Sequence, residues 1–168
     1  MDAQAYRREA ESLLKQDRGE EAVALLTKAI DEWPSSEELV STRAYAFALA
    51  GDHRAAIEDL NTALSLAPIP EPCLLFDRGR YHHLSGQLKE AESDFKRLIA
   101  IELDAGDTYY SDMARFFLAA VLLDQGSATE ASTVLQQVPR DMRTYHGQFG
   151  LMTFTTLETR AGRMKSAG

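Results

Sequence analysis

Histidine is the side chain best suited to proton transfer or metal binding near neutral pH, and this 168-residue chain has four: His53, His82, His83 and His146. Their spacing does not assemble a catalytic or metal centre. His82 and His83 are adjacent, so on a helix they diverge by about 100 degrees and cannot both face one metal. His53 and His146 fall singly in segments that read as turns. The metalloprotease pair with its intervening glutamate is missing from the sequence, as are a cysteine cluster and a glycine-rich phosphate loop ahead of a helix. Cys73 could serve as a nucleophile beside a histidine, but a lone cysteine at a helix start is far more often a small packed residue. Arg80 and His83, three residues apart on one helix face, form the sharpest polar pair, and their chemistry is recognition. The residues therefore point away from catalysis: no enzyme activity, no cofactor and no metal are expected.

Composition limits what such a surface could recognise. The chain is 45% hydrophobic and 26% charged, with a net charge of −8. That suits one soluble domain with a continuous core, and an acidic surface disfavours nonspecific binding to nucleic acid or anionic membrane. The start, MDAQAYRREAESLL, lacks an apolar run after a basic segment, and no stretch reaches the roughly 18 apolar residues that span a bilayer, so an unprocessed protein without membrane insertion is expected. The single cysteine excludes an internal disulfide and fits a reducing cytoplasm.

The elements that would position these residues announce themselves by repetition. Ala10, Ala44, Gly79 and Ala119 precede Asp17, Gly51, Gly86 and Gly126, which precede Ala22, Ala56, Ala91 and Ala131, with the last set spaced by 34, 35 and 40 residues. Self-similarity at about 34 residues marks a helix-turn-helix array. Within Glu37 to Pro68, apolar residues recur at three and four residue steps through Leu39, Val40, Ala44, Phe47 and Ala48, Gly51 stops that helix, and Ala55 to Leu66 form a second that Pro68 closes. Ala44 facing Ala56 would let the two backbones approach closely.

These residues resemble the tetratricopeptide repeat (TPR) family, whose pattern is a small residue in the first helix, glycine at the turn, alanine early in the second helix, a large apolar residue four later, another small one and then proline. Ala10, Ala22, Leu26, Ala29 and Pro34 fill it in the first repeat; Ala44, Gly51, Ala56, Leu60, Ala63 and Pro68 in the second. Gly79, Gly86, Ala91 and Phe95 supply the third, and Ala119, Gly126, Ala131 and Leu135 the fourth. The resemblance implies an all-α right-handed superhelix with repeats at about 3–36, 37–70, 72–104 and 108–139, within one domain over 3–161.

Departures from the pattern carry expectations of their own. Asp17 stands where glycine is usual, with Gly19 two residues later, which predicts a shifted first turn. Roughly five extra residues between the third and fourth repeats predict either a longer loop around Asp104-Ala105-Gly106-Asp107 or a first helix extended back to about Thr108. Arg43 and Arg78 recur at equivalent places and predict pairing with acidic groups across helices. Ser127 and Glu130 have the spacing of a capping box. Beyond Pro139, an ordered loop with Tyr145, His146 and Phe149 should lead to a capping helix over Leu151 to Arg160, with a frayed tail over 162–168.

The resemblance also implies a concave groove lined by first helices: Arg7, Glu11, Glu38, Ser41, Tyr45, Phe76, Arg80, His83, Phe116, Ala120 and Asp124. Tyr45, Phe76 and Phe116 would take apolar anchors of a partner, while Arg7 and Arg80 would pair with its carboxylates; each aromatic could equally be core. The clamp with which some relatives grip acidic chaperone tails is poorly matched, because Glu11 and Asp77 would repel a carboxylate at its positions. The expected function is a protein interaction scaffold that holds a peptide or helix. An alternative is a bacterial immunity protein or secretion chaperone that masks a toxin or secreted substrate, and a third is a homo-oligomer built through uncapped ends.

Overall fold

The structure is a computed structural model that describes residues 2–68, 71–146 and 150–167, with the side chain of Ala167 excepted. Phe149, expected in the ordered loop, lies outside the described residues. Two compact units organise the chain, Met1–Leu74 and Leu75–Gly168.

The first unit holds two helical hairpins, α1 (Ala3–Lys15) with α2 (Gly19–Glu32) and α3 (Glu37–Leu49) with α4 (His53–Leu66). Side-chain oxygens start three of these helices by accepting backbone N–H groups: Asp2 from Ala5 at 2.7 Å, Ser36 from Leu39 at 3.4 Å and Asp52 from Ala55 at 3.0 Å. Ala10, Ala22 and Ala29 are fully buried around Leu26, as are Ala44 and Ala56, so the small residues of the pattern do lie in the core. The first turn is not shifted. Asp17 takes φ +60° in register with Gly51, Gly86 and Gly126, a conformation Asp tolerates better than most side chains, and Gly19 simply begins α2.

Arg43 reaches from α3 to α4, where its Nε and Nη2 donate to the two oxygens of Asp59 at 2.8 Å each. The same fork recurs in the second unit, sixteen residues apart again, where Arg78 donates to Asp94 at 2.9 and 2.5 Å. Inter-helix pairing at these two arginines is therefore observed as the sequence suggested.

The second unit contains α5 (Pro72–Leu84) from Leu75 onward, α6 (Leu88–Ala105), α7 (Ser111–Asp124), α8 (Ala128–Leu135), the antiparallel strands β1 (Arg143–Tyr145) and β2 (Leu151–Thr153), and α9 (Phe154–Ala167). Gly79 in α5 has a steric reason: a Cβ there would stand 2.9 Å from the Phe95 ring of α6. The extra residues of the third repeat lengthen its second helix, α6, to 18 residues against 14 in α2 and α4. The alternative of an α7 extended to Thr108 is corrected, because α7 starts at Ser111. Gly106 closes α6 in the left-handed conformation, and buried Glu102 accepts from the Tyr110 N–H at 2.8 and 3.0 Å and from the Ser111 hydroxyl at 2.6 Å. A carboxylate at the start of α7 satisfies backbone donors and the positive end of the helix dipole together.

Two further expectations change at the C-terminal end. Ser127 makes no side-chain cap bond to α8, and Glu130 accepts from Lys96 instead. The capping helix begins at Phe154, not Leu151, and continues to Ala167 instead of fraying after 161. Leu151 and Met152 alternate exposed and buried as β2 residues do. Two threonines hold its start: Thr156 N–H donates to Thr153 Oγ1 at 3.1 Å while Thr153 N–H donates to Thr156 Oγ1 at 3.0 Å, a reciprocal cap. Phe154, Leu157 and Ala161 bury the inner face of α9.

Candidate binding site

In the first unit the expected groove residues are surface residues of α1 and α3. Arg7 and Glu11 pair along α1 at 3.5 Å, both partly exposed. Arg7 also lines a small cleft of about 200 Å³ with Ala3, Gln4, Ser36 and Glu38. Ser41 donates to the Glu38 carbonyl at 3.2 Å, and Tyr45 is 50% exposed, a large apolar surface for a helix of this kind.

The second unit surrounds Arg80 with aromatic rings. Phe76 packs edge-on against Phe95 and Phe117 with centroids 6.1 and 5.5 Å away, and Tyr110 stands 5.6 Å from it. The Arg80 guanidinium lies 5.7 Å from the centroids of both Phe76 and Phe117, and its side chain is 29% exposed. Asp77 faces it at 3.6 Å; burial pushes the Asp77 carboxyl up and Arg80 partly offsets that. The Arg80 Nε is buried and takes no hydrogen bond. A partly exposed guanidinium within cation–π distance of two rings, with a carboxylate 3.6 Å away, can still accept a further acidic group.

Two expected groove residues are interior. Phe116 is 0% exposed, because α7 packs against α6, α8 and α9 and its whole run Phe116 to Leu123 is buried. His83 is 2% exposed and enters a polar chain: its Nε2 lies 2.6 Å from Asp124 Oδ2, and its Nδ1 lies 3.1 Å from His146 Nε2. Arg160 of α9 holds the other Asp124 oxygen at 2.7 Å. Burial would raise the Asp124 carboxyl, but the bonds from His83 and Arg160 outweigh it and hold that carboxyl below the usual range. The sequence named Asp124 only as a groove position and read His146 as a turn residue. No local spacing reports a contact between residues 63 apart. Among the described residues, no group of three His, Cys, Asp or Glu could hold a metal ion, and no helix is long and apolar enough to cross a membrane.

Paired helices with small residues at their crossings and a left-handed turn between them are the geometry of one known family. Residues 41–109 match the tetratricopeptide repeat. Over that stretch, less than half of the chain, the sequence is similar to that family. No curated protein sequence matches it. Solved TPR structures share the fold. A Podosopora anserina protein of nearly identical TPR-like repeats has a TM-score of 0.75 at 17% identity, over 98% of this chain and 86% of that one. YrrB, a TPR protein with an unusual peptide-binding site, has a TM-score of 0.71 at 20% identity over 99% and 77%. The first TPR of Spaghetti (RPAP3), bound to the HSP90 peptide SRMEEVD, has a TM-score of 0.66 at 23% identity over 74% and 94%.

Proposed function

We propose that this protein is a non-enzymatic interaction module that binds an acidic, partly apolar peptide or helix of a protein partner. The observation that carries this reading is Arg80, seated on Phe76 and Phe117 with its side chain 29% exposed. A peptide carboxylate there would gain a bidentate charge-assisted bond while an adjacent apolar side chain covered the exposed edge of Phe76. Tyr45, Ser41, Arg7 and Glu11, surface residues of α1 and α3, offer further contacts in the other unit. His83 and Phe116 leave the contact set, since both are interior. Peptide binding by YrrB and by the first TPR of Spaghetti supports this class of partner.

The test is selection from a displayed peptide library on the wild-type protein, followed by calorimetry on the selected peptides. Selected sequences should carry Asp, Glu or a terminal carboxylate beside an apolar residue. Arg80→Gln should weaken them at least about tenfold, the worth of one charge-assisted pair, with circular dichroism unchanged. Selection of basic or purely apolar peptides, or indifference to Arg80→Gln, would sink the reading.

A further inference from the structure

The five residues that join α6 to α7 hold an aromatic side chain out in solvent, and they hold it firmly. Gly106 turns the chain at φ +71°, and carboxylates bind the three amides that precede α7. The Thr108 and Tyr109 N–H groups donate to Asp107 Oδ1 at 2.6 and 3.1 Å, and the Tyr110 N–H donates to Glu102. A turn tied in this way has little freedom left to lose when something binds to it. Tyr109 is nevertheless 79% exposed, more than any other large apolar side chain among the described residues, and Leu103 at the end of α6 is 56% exposed.

The exposed ring is one end of a series. Tyr109 meets Tyr110 edge-on with centroids 4.8 Å apart, Tyr110 lies 5.6 Å from Phe76, and the Arg80 guanidinium lies 5.7 Å from the centroid of Phe76. Aromatic surface therefore runs unbroken from solvent to the cation, all within the second unit.

Resting on the reading of Arg80 as a carboxylate site, we propose that Tyr109 determines its specificity: the Tyr109 ring takes an apolar side chain of the same peptide whose carboxylate pairs with Arg80.

The chemistry of the turn says what that peptide carries. Tyrosine presents a large, stiff face with two torsions, so it buries area against an apolar side chain at low cost in entropy. Exposed Asp104 and Asp107 put negative charge at this end of the series. The peptide's acid therefore belongs at the Arg80 end, and residues beyond its apolar anchor are neutral or basic. The three ring-to-ring and ring-to-cation steps limit the span, so in an extended peptide acid and anchor stand within about five residues of each other, at ~3.3 Å per residue.

Calorimetry on the full chain, with peptides selected on the wild-type protein, tests the proposal. Tyr109→Ser should weaken these peptides about five- to tenfold with the melting curve unchanged, and Tyr109→Phe, which keeps the ring, should bind within about twofold of wild type. With the peptide's apolar anchor replaced by Ala, Tyr109→Ser should cost about twofold or less, because the two side chains then have no contact left to lose. If Arg80→Gln weakens binding and Tyr109→Ser does not, the second anchor is refuted while the Arg80 reading stands. If neither substitution matters, that reading falls and this one with it. A loss on Tyr109→Ser that is the same with and without the apolar anchor refutes the contact, and so does dependence on Tyr109 without dependence on Arg80.

Discussion

Both units are built on the same template and share a buried arginine–aspartate fork, yet they differ in charge balance. Met1–Leu74 carries 14 Asp and Glu against 7 Lys and Arg, whereas Leu75–Gly168 carries 12 against 11. Nearly all of the chain's net negative charge therefore resides in the first unit, much of it on exposed residues such as Glu9, Asp17, Glu20 and Glu21. The second unit takes more acidic groups inside: Asp94, Glu102 and Asp124 each meet specific donors in the core or at its edge, against the fork-bound Asp59 in the first. A regular repeat can leave most of its carboxylates in water. A lengthened α6 and an added cap create buried backbone and polar groups that must be satisfied, and side chains supply the partners.

The comparison can be broken most forcefully at the two arginine forks. Arg78→Ala would remove both fork donors from Asp94, whose side chain is 5% exposed, and should cost about 3–5 kcal/mol in urea denaturation. Arg43→Ala strands the somewhat more exposed Asp59 and should cost less, about 1.5–3 kcal/mol; equal losses would mean that burial does not separate the units. Glu102→Ala leaves the Tyr110 N–H and the Ser111 hydroxyl without their acceptor, for an expected loss of about 2 kcal/mol, with no counterpart in the first unit. Acid titration probes Asp124. Its carboxyl is held below the usual range in the folded state, so its contribution is whole above the ordinary aspartate range and drains as pH falls through the lowered value. Asp124→Asn should therefore be less stable than wild type near neutrality and converge with it in strong acid. The smallest effect belongs to the cap of α9, where Thr156→Ala should lower the melting temperature by the few degrees that about 0.5–1 kcal/mol produces.

Helix existence and repeat register were legible in the sequence because they rest on short spacings. Alanine and glycine at the crossings, the turn glycines and the arginines beside the small residues all report contacts within one hairpin. The fate of the extra residues was not legible: Leu103, Asp104 and Ala105 extend a helix as readily as they form a loop, and the deciding contact joins Glu102 to Tyr110 across the turn. Phe116 was misplaced for a related reason. Its spacing gives a face of α7, but only packing by α8 and α9 tells that this helix has no open face. β-branched threonines near 153 have low helix propensity, yet at a helix start their hydroxyls are an advantage. Arg80 was found from its type and spacing, whereas its seat on Phe117 depends on a helix 37 residues away.

The four additional residues of α6 amount to little more than one helical turn, about 6 Å of length and a rotation of about 40 degrees. An insertion of that size keeps every later side chain near its original azimuth, so a lineage could acquire it in a single step without repacking the hairpin. Two added residues would swing Glu102 about 200 degrees away from the start of α7. Length variants of this chain should accordingly be tolerated in steps of three or four at this point and rejected at one or two.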